Sequence, residues 1–280
     1  MLQTFKPLQN PGKTDQQKVG NLAPVSISSN LPNPVALVTG ASRGLGFEVA
    51  RGLAKSGFNL ILVSKDYARL QSAKEKLHNE FGQENQISIT THAVDLEKLD
   101  EARTVAEKIS QESNIDVLVL AHGVMSEKMS KTLKTTDSEW RRIMSINLDS
   151  VFIFLNSLVP NMVEKRSGRV VIFSACLGRM SGPGNTGGLA PYRVSKSGVN
   201  ALVRNLAHET GLGSRGVLVD AICPNHSRTD MGGPDAPRSA EEGAETAIWL
   251  STREFDFNNK ESAALSVTGV LWEDHQIVPW

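Results

Sequence analysis

From residue 34 onward the chain alternates short, β-branched apolar runs with longer stretches of helical spacing, and this rhythm constrains the fold more than any other feature. The apolar runs fall at 34–38, 60–63, 87–91, 115–120, 169–173, 217–222 and 269–272. Helical patterns occupy 45–56, 67–81, 96–112, 138–163, 192–210 and 240–250. Strands separated by helices of this length are βαβ units, which build a parallel sheet covered by helices on both faces. Right-handed crossovers then make it a doubly wound α/β sheet. No repeat and no linker interrupts the pattern, so a single domain is expected over residues 34–280. Residues 1–33 are rich in Pro, Asn, Gln and Ser without apolar periodicity, and read as a flexible tail. That tail has no apolar h-region and no arginine, which argues against a secretory signal and against an organellar transit peptide.

Composition narrows the class of function. Lys plus Arg and Asp plus Glu number 30 each. A balanced surface argues against nucleic acid or an anionic membrane as partner. No run of 18 apolar residues occurs, so no membrane-spanning helix is expected. The six histidines are scattered, and Cys176 and Cys223 are the two cysteines; neither zinc spacing nor a disulfide framework is visible. The expectation is a protein without a metal, in a reducing compartment, the cytoplasm.

The first apolar run leads into Thr39-Gly40-Ala41-Ser42-Arg43-Gly44-Leu45-Gly46. Glycines here permit a tight turn and close backbone approach to a pyrophosphate, and the following helix aims its N-terminal N–H groups at the phosphates. The turn sits between an expected strand and an expected helix, the context that makes a Rossmann-type dinucleotide site. At the end of the second strand an acidic residue takes ribose hydroxyls, whereas a basic one tolerates a 2′-phosphate. The chain reads Val63-Ser64-Lys65-Asp66 there. Lys65, with Arg43 from the glycine turn, favours NADP(H) over NAD(H); Asp66 keeps the second cofactor as the alternative.

Tyr192 and Lys196 are spaced i, i+4 on one expected helix, so they share a face. A lysine beside a phenol lowers its pKa and makes it a proton donor or acceptor.

With these motifs in order, the chain resembles the short-chain dehydrogenase/reductase family over roughly residues 34–272. TGASRGLG matches the family's glycine turn. Asp95 matches the residue that meets the adenine, and Gly123 closes the fourth-strand motif. Asn147 matches the family's asparagine, Tyr192 and Lys196 its catalytic pair, and Thr229 the threonine near the nicotinamide amide. The resemblance implies that the tyrosine protonates a substrate oxygen as hydride arrives from the nicotinamide. The lysine then holds the ribose, the asparagine a relay water, and a serine the substrate oxygen. Cofactor contacts are thus expected at Gly40, Ser42, Arg43, Gly44, Leu45, Gly46, Lys65, Asp95, Gly123, Asn147, Tyr192, Lys196 and Thr229.

The chain departs from the family in three places. The fourth-strand motif reads Leu120-Ala121-His122-Gly123, without its usual asparagines, and His122 reads either as a core residue or as one facing the site. The fifth strand ends Ser174-Ala175-Cys176-Leu177-Gly178, which puts Ala175 where the family has its catalytic serine. Neighbouring strand residues face opposite sides, so Ser174 is not a substitute unless the strand end bends. Ser181, Asn185 or Thr186 of the following loop are candidate replacements. After the sixth strand, Asn225 stands in place of a glycine, a tolerable exchange in a turn. The loop over 225–239 is expected to cover the substrate, with His226 or Arg228 as contacts for an anionic one or as plain loop residues. The expected activity is NADPH-dependent reduction of a ketone or aldehyde to an alcohol, or the reverse. Two alternatives are an NADP(H)-binding module without turnover and an enzyme of this fold with non-redox chemistry. Relatives often dimerise through the helices expected at 138–163 and 192–210, while some carbonyl reductases stay monomeric, so the resemblance leaves a homodimer or homotetramer beside a monomer as the expected assemblies.

Overall fold

The computed structural model describes residues 33–82, 84–127, 130–182, 187–254 and 267–280. The expected tail, apart from its last residue, and the loop residues Asn185 and Thr186 lie outside them. In chain order the elements are β1 (Val35–Thr39), α1 (Gly44–Lys55), β2 (Asn59–Ser64), α2 (Tyr67–Leu77), β3 (Ile89–Ala93), α3 (Leu99–Glu112), β4 (Val117–Leu120) and α4 (Asp137–Met144). They continue with α5 (Ser150–Glu164), β5 (Gly168–Phe173), α6 (Ala190–Glu209), β6 (Val217–Ile222), α7 (Ala240–Thr252), β7 (Leu271–Glu273) and β8 (Gln276–Val278).

The strands form one sheet in the order β3-β2-β1-β4-β5-β6-β7-β8, parallel from β3 to β7. The doubly wound α/β fold expected from the alternation is therefore present. Strand order reverses beside β1, where β2 and β4 lie on opposite sides of it. A crevice opens there at the carboxyl ends of the strands, the usual ligand site of open α/β sheets. Alternation along each strand feeds two cores. Leu37, Leu118, Leu120, Val170 and Ile172 face α3, α5 and α6. Ala36, Val38, Val119, Val171 and Phe173 face α1, α2 and α7. Burying each large apolar side chain contributes about 1.5–3 kcal/mol, so the register of every central strand is fixed by both faces at once.

Two features depart from the expected elements. The helix expected as one piece over 138–163 is interrupted by a π turn, Ser145–Asp149, between α4 and α5. An extra residue in one turn leaves apolar periodicity almost unchanged, and such turns concentrate at functional sites. This one carries Asn147, which is fully buried. The rod Asp137–Glu164 is also long and apolar enough by composition to cross a membrane, although the sequence lacks an 18-residue apolar run; half of its most apolar stretch is buried, and α5 packs on α3. The second departure is β8, which pairs antiparallel with β7 through Asp274 and His275 at φ 51° and 61°. Left-handed backbone at both central positions suits a tight hairpin, but neither residue is a glycine, so no turn signal was visible.

Candidate active site

The turn between β1 and α1 begins with Gly40 at φ +68°. A Cβ on Gly46 would stand 2.4 Å from the Gly40 carbonyl oxygen, so only glycine lets α1 start this close to β1. Among the described residues no side chain caps α1, and its first turn carries no acidic residue. Its N-terminal N–H groups therefore point into the crevice with a positive dipole end, as a phosphate requires. Ser42 Oγ lies 2.8 Å from Ser64 Oγ and ties the glycine turn to the end of β2. The residues that follow these two serines are Arg43 and Lys65. Lys65 Nζ is 2.7 Å from an Asp95 carboxylate oxygen, and Arg43 is paired with Asp230 in the loop after β6. Burial opposes ionisation of Asp95, but bonds from Lys65 and the Glu97 amide outweigh it and hold the carboxyl below its ordinary range. Thr229 closes the crevice from the opposite side: a Cβ on Gly44 would touch its methyl group at 3.1 Å. This cradle fits a dinucleotide, with basic side chains at the β2 end and an unspent helix N-terminus below.

Tyr192 and Lys196 rise from the first turns of α6. The Tyr192 amide donates to Ser126 Oγ at 3.0 Å, which anchors the start of the helix. Lys196 Nζ is 5.9 Å from the Tyr192 ring centre and donates to the Phe173 carbonyl at 2.7 Å. Burial pushes the lysine down to about 8. The expectation that lysine lowers the tyrosine pKa is not met: burial, reinforced by Cys223 and Cys176, pushes the Tyr192 phenol upward. Desolvation sets the direction, so the phenol is protonated at neutral pH. Among the described residues no hydrogen-bond partner meets its hydroxyl.

Asn147 works as a clamp. Its Oδ1 accepts from the Val124 amide at 2.8 Å, and its Nδ2 donates to the Val124 carbonyl at 2.9 Å and to Ser195 Oγ at 3.1 Å. The π turn is thus tied both to the segment after β4 and to α6. A Cβ on Gly123 would stand 3.4 Å from both Asn147 Oδ1 and Lys196 Nζ, so glycine keeps the space between them clear.

His122 is a core residue, not a site residue. Ser150 Oγ donates to the Ile146 carbonyl at 2.7 Å. His122 Nε2, 2.8 Å from that oxygen, must then carry the hydrogen, and Nδ1 accepts from Thr39 Oγ1 at 2.6 Å. Burial, with the Lys196 charge, pushes this imidazole down to about 3 and keeps it neutral.

A cavity opens above these groups, lined by Ala175, Cys176, Tyr192, Cys223, His226 and Thr229 among others. Ala175 faces it at the end of β5. Ser174 borders the same cavity, but its hydroxyl is turned to α6, where it is shared with Asn200 Oδ1 at 2.5 Å and the Lys196 carbonyl at 3.4 Å. Ser181 donates to the Trp280 carbonyl and is outside the cavity lining. Asn225 occupies φ +56°, the left-handed conformation expected of a glycine substitute. Arg228 braces its own loop by donating to the Ala236 and Pro237 carbonyls, and His226 Nε2 lies 2.8 Å from the Gly232 carbonyl. Of the residues expected from the sequence, the structure brings the glycine turn, Lys65, Asp95, Gly123, Asn147, Tyr192, Lys196 and Thr229 to one edge of the sheet; His122 and Ser181 are engaged elsewhere, and Asn185 and Thr186 lie outside the described residues. The reading from sequence missed Ser126, Ser195 and the two cavity cysteines; hydroxyls and thiols without a periodic pattern give no signal of their own.

Comparisons agree with this geometry. The short chain dehydrogenase family model matches residues 34–239. The 3-oxoacyl-(acyl-carrier-protein) reductase FabG of Staphylococcus epidermidis is 34% identical over 200 residues, 71% of this chain and 77% of that protein. The 3-oxoacyl-(acyl-carrier-protein) reductase of Synechocystis is 32% identical over 201 residues, 70% of this chain and 75% of that one. A dehydrogenase structure from Beutenbergia cavernae with NADP bound at low occupancy has a TM-score of 0.70 and 25% identity, covering 86% of this chain and 94% of its own. A short-chain dehydrogenase from Sphingobium yanoikuyae in complex with NADPH shares the fold, with a TM-score of 0.67, 23% identity, and coverage of 77% and 83%. The family model spans well over half of the chain, and the chain belongs to the short-chain dehydrogenase family.

Proposed function

We propose that this protein uses NADP(H) to reduce a ketone or aldehyde to an alcohol, or runs the reverse reaction. One observation carries the reading: among the described residues the Tyr192 hydroxyl stands without a partner, in a cavity beside the buried ammonium of Lys196. Bound NADPH supplies the hydride. Tyr192 supplies the proton to the carbonyl oxygen as negative charge develops there. Burial holds the phenol protonated, which suits proton donation and so the direction of reduction. Lys196 faces the resulting phenolate with a positive charge and recovers the proton balance. Asn147 positions the segment after β4 against α6, and the clear space at Gly123 is the path by which the lysine exchanges protons with solvent. Arg43 and Lys65 receive the 2′-phosphate, Ser42, Gly44, Leu45 and Gly46 the pyrophosphate, Asp95 the adenine side and Thr229 the nicotinamide side. Curated relatives named as 3-oxoacyl reductases support a ketone among the substrates. We place the protein in the cytoplasm, as its two free cysteines suit. Exposed Phe152 on α5 and Val194 on α6 support a homodimer or homotetramer.

Ala175 favours a second reading, a nucleotide-binding module without turnover, because the cavity lacks the family's serine hydroxyl. NADPH consumption across a panel of ketones and aldehydes, with Tyr192→Phe alongside, separates the two. Turnover in the native protein and its loss in the variant support the reductase. Equal rates in both proteins, or no turnover beside tight NADPH binding, overturn it.

A further inference from the structure

The chain has two cysteines, 47 positions apart, and the fold brings both into the lining of one cavity. Cys223 directly follows the last residue of β6, and its amide donates to the Trp272 carbonyl at 2.8 Å, so its backbone is pinned to the sheet. Cys176 opens the short 3-10 turn Cys176–Gly178 after β5. That turn is closed by the Gly178 amide on the Ala175 carbonyl at 3.0 Å. The strands leading to the two cysteines are register partners up to Phe173 and Ile222, and neighbouring strands lie about 4.8 Å apart. The Cys176 amide donates to Cys223 Sγ at 3.0 Å. A sulfur this close to the Cys176 backbone puts the two side chains within reach of one another.

We propose that Cys176 and Cys223 form a peroxide-responsive dithiol in the floor of the carbonyl cavity, and that closing it into a disulfide shuts off carbonyl turnover while nucleotide binding persists. The two sulfurs have unequal roles. Cys176 is half-buried and reachable through the cavity; Cys223 is buried. The bond from Cys223 holds the Cys176 thiol below its ordinary range, with Arg179 and the Leu177 amide assisting, and the Cys223 thiol is pushed up in return. Cys176, the sulfur that an oxidant entering the cavity reaches, is the attacking thiol, and the buried Cys223 is the resolving one. In the first step the Cys176 sulfur attacks one oxygen of hydrogen peroxide and the O–O bond breaks. Cys176 becomes a sulfenic acid, and hydroxide leaves to take up a proton as water. In the second step the Cys223 sulfur attacks the sulfenic sulfur, the S–S bond forms and water departs. Two thiols have lost two electrons and two protons, and one peroxide has become two waters. The disulfide fixes the Cys176 side chain against β6 beside Ala175 and reshapes the wall that a carbonyl meets at Tyr192. Both cysteines pack with the core on the α6 side, whereas Leu45 of the glycine turn borders the same cavity but packs with the opposite core, so the bond does not constrain the phosphate cradle directly.

The test is intact mass and peptide mapping of the full chain after a graded pulse of hydrogen peroxide, with NADPH binding and carbonyl turnover read on the same samples. The expected result is loss of the mass of two hydrogens, a peptide pair linked through Cys176 and Cys223, and loss of turnover reversed by dithiothreitol with NADPH affinity unchanged. In Cys223→Ser the expected product is a Cys176 sulfenic acid captured by dimedone. Unlinked peptides, or Cys176 driven straight to sulfinic acid in the native protein, would overturn the dithiol; a formed disulfide with full turnover would overturn the switch. The mass readout on the native chain stands without any variant and without any substrate. A protein that forms the disulfide yet reduces no carbonyl when fully thiol would fail the reductase reading and not the modification site.

Discussion

The nucleotide cradle and the carbonyl centre are built in opposite ways, although they share one edge of the sheet. In the cradle, Lys65 and Arg43 are more than half exposed, and each rests on an acid, Asp95 and Asp230. Exposed ion pairs contribute about 0–1 kcal/mol, so a 2′-phosphate can take both cations at little cost. In the carbonyl centre, Asn147, Lys196 and Ser195 are buried, and their polar atoms are bonded to named partners. Leaving one such partner unmet costs about 1–3 kcal/mol. Cofactor preference is therefore written in adjustable surface charge, and chemistry in geometry that tolerates little change. The two halves should respond to mutation separately.

The largest effect is expected from Tyr192→Phe. Removing a general acid lowers turnover by about 10²–10⁴-fold, while NADPH affinity by fluorescence titration stays the same. An equal loss in both would break the separation of the two regions. Ala175→Ser comes next. A restored hydroxyl facing the cavity should raise turnover by up to about 10²–10³-fold, the worth of one donor at a developing oxyanion, again without moving NADPH affinity. No gain would say that another group already serves the substrate oxygen.

Charge in the cradle should have smaller effects, confined to binding. Lys65→Ala or Arg43→Ala should weaken NADPH by about tenfold each, a change of about 1.4 kcal/mol, and leave NADH binding unchanged. Equal weakening of both nucleotides would contradict the 2′-phosphate assignment. The effect that vanishes at neutral pH concerns stability. His122 stays neutral in the fold down to about 3, whereas in the unfolded chain it protonates near 6.5. Its contribution is full above 6.5 and is lost as pH falls from there towards 3, because the unfolded chain binds a proton that the fold refuses. Tm should fall across that window, and His122→Asn should show a shallower fall.

Most of the architecture was legible because burial on both faces of the central strands leaves long apolar runs, and the glycine turn needs its sequence to exist at all. Gly46 is an example: its near contact with Gly40 admits no side chain. What escaped reading was geometry carried by ordinary residues. The π turn at Ser145–Asp149 leaves the helical pattern intact while rotating Asn147 into the core. The sign of the Tyr192 shift depends on burial depth, which no i, i+4 spacing reveals. Cys176 and Cys223 meet only because β5 and β6 are neighbours in the sheet. Ala175, by contrast, is legible at once, and strand alternation alone sets the Ser174 hydroxyl apart from it, on Asn200.

The central claim is that hydride passes from NADPH to a carbonyl carbon while Tyr192 protonates the oxygen. NADPH deuterated at the transferred nicotinamide position tests it directly, with product alcohols from a ketone panel analysed by mass spectrometry. The account predicts an alcohol carrying the deuterium from the native protein and almost none from Tyr192→Phe. An unlabelled alcohol, equal labelled product from both proteins, or tight NADPH binding with no alcohol from any ketone would contradict it.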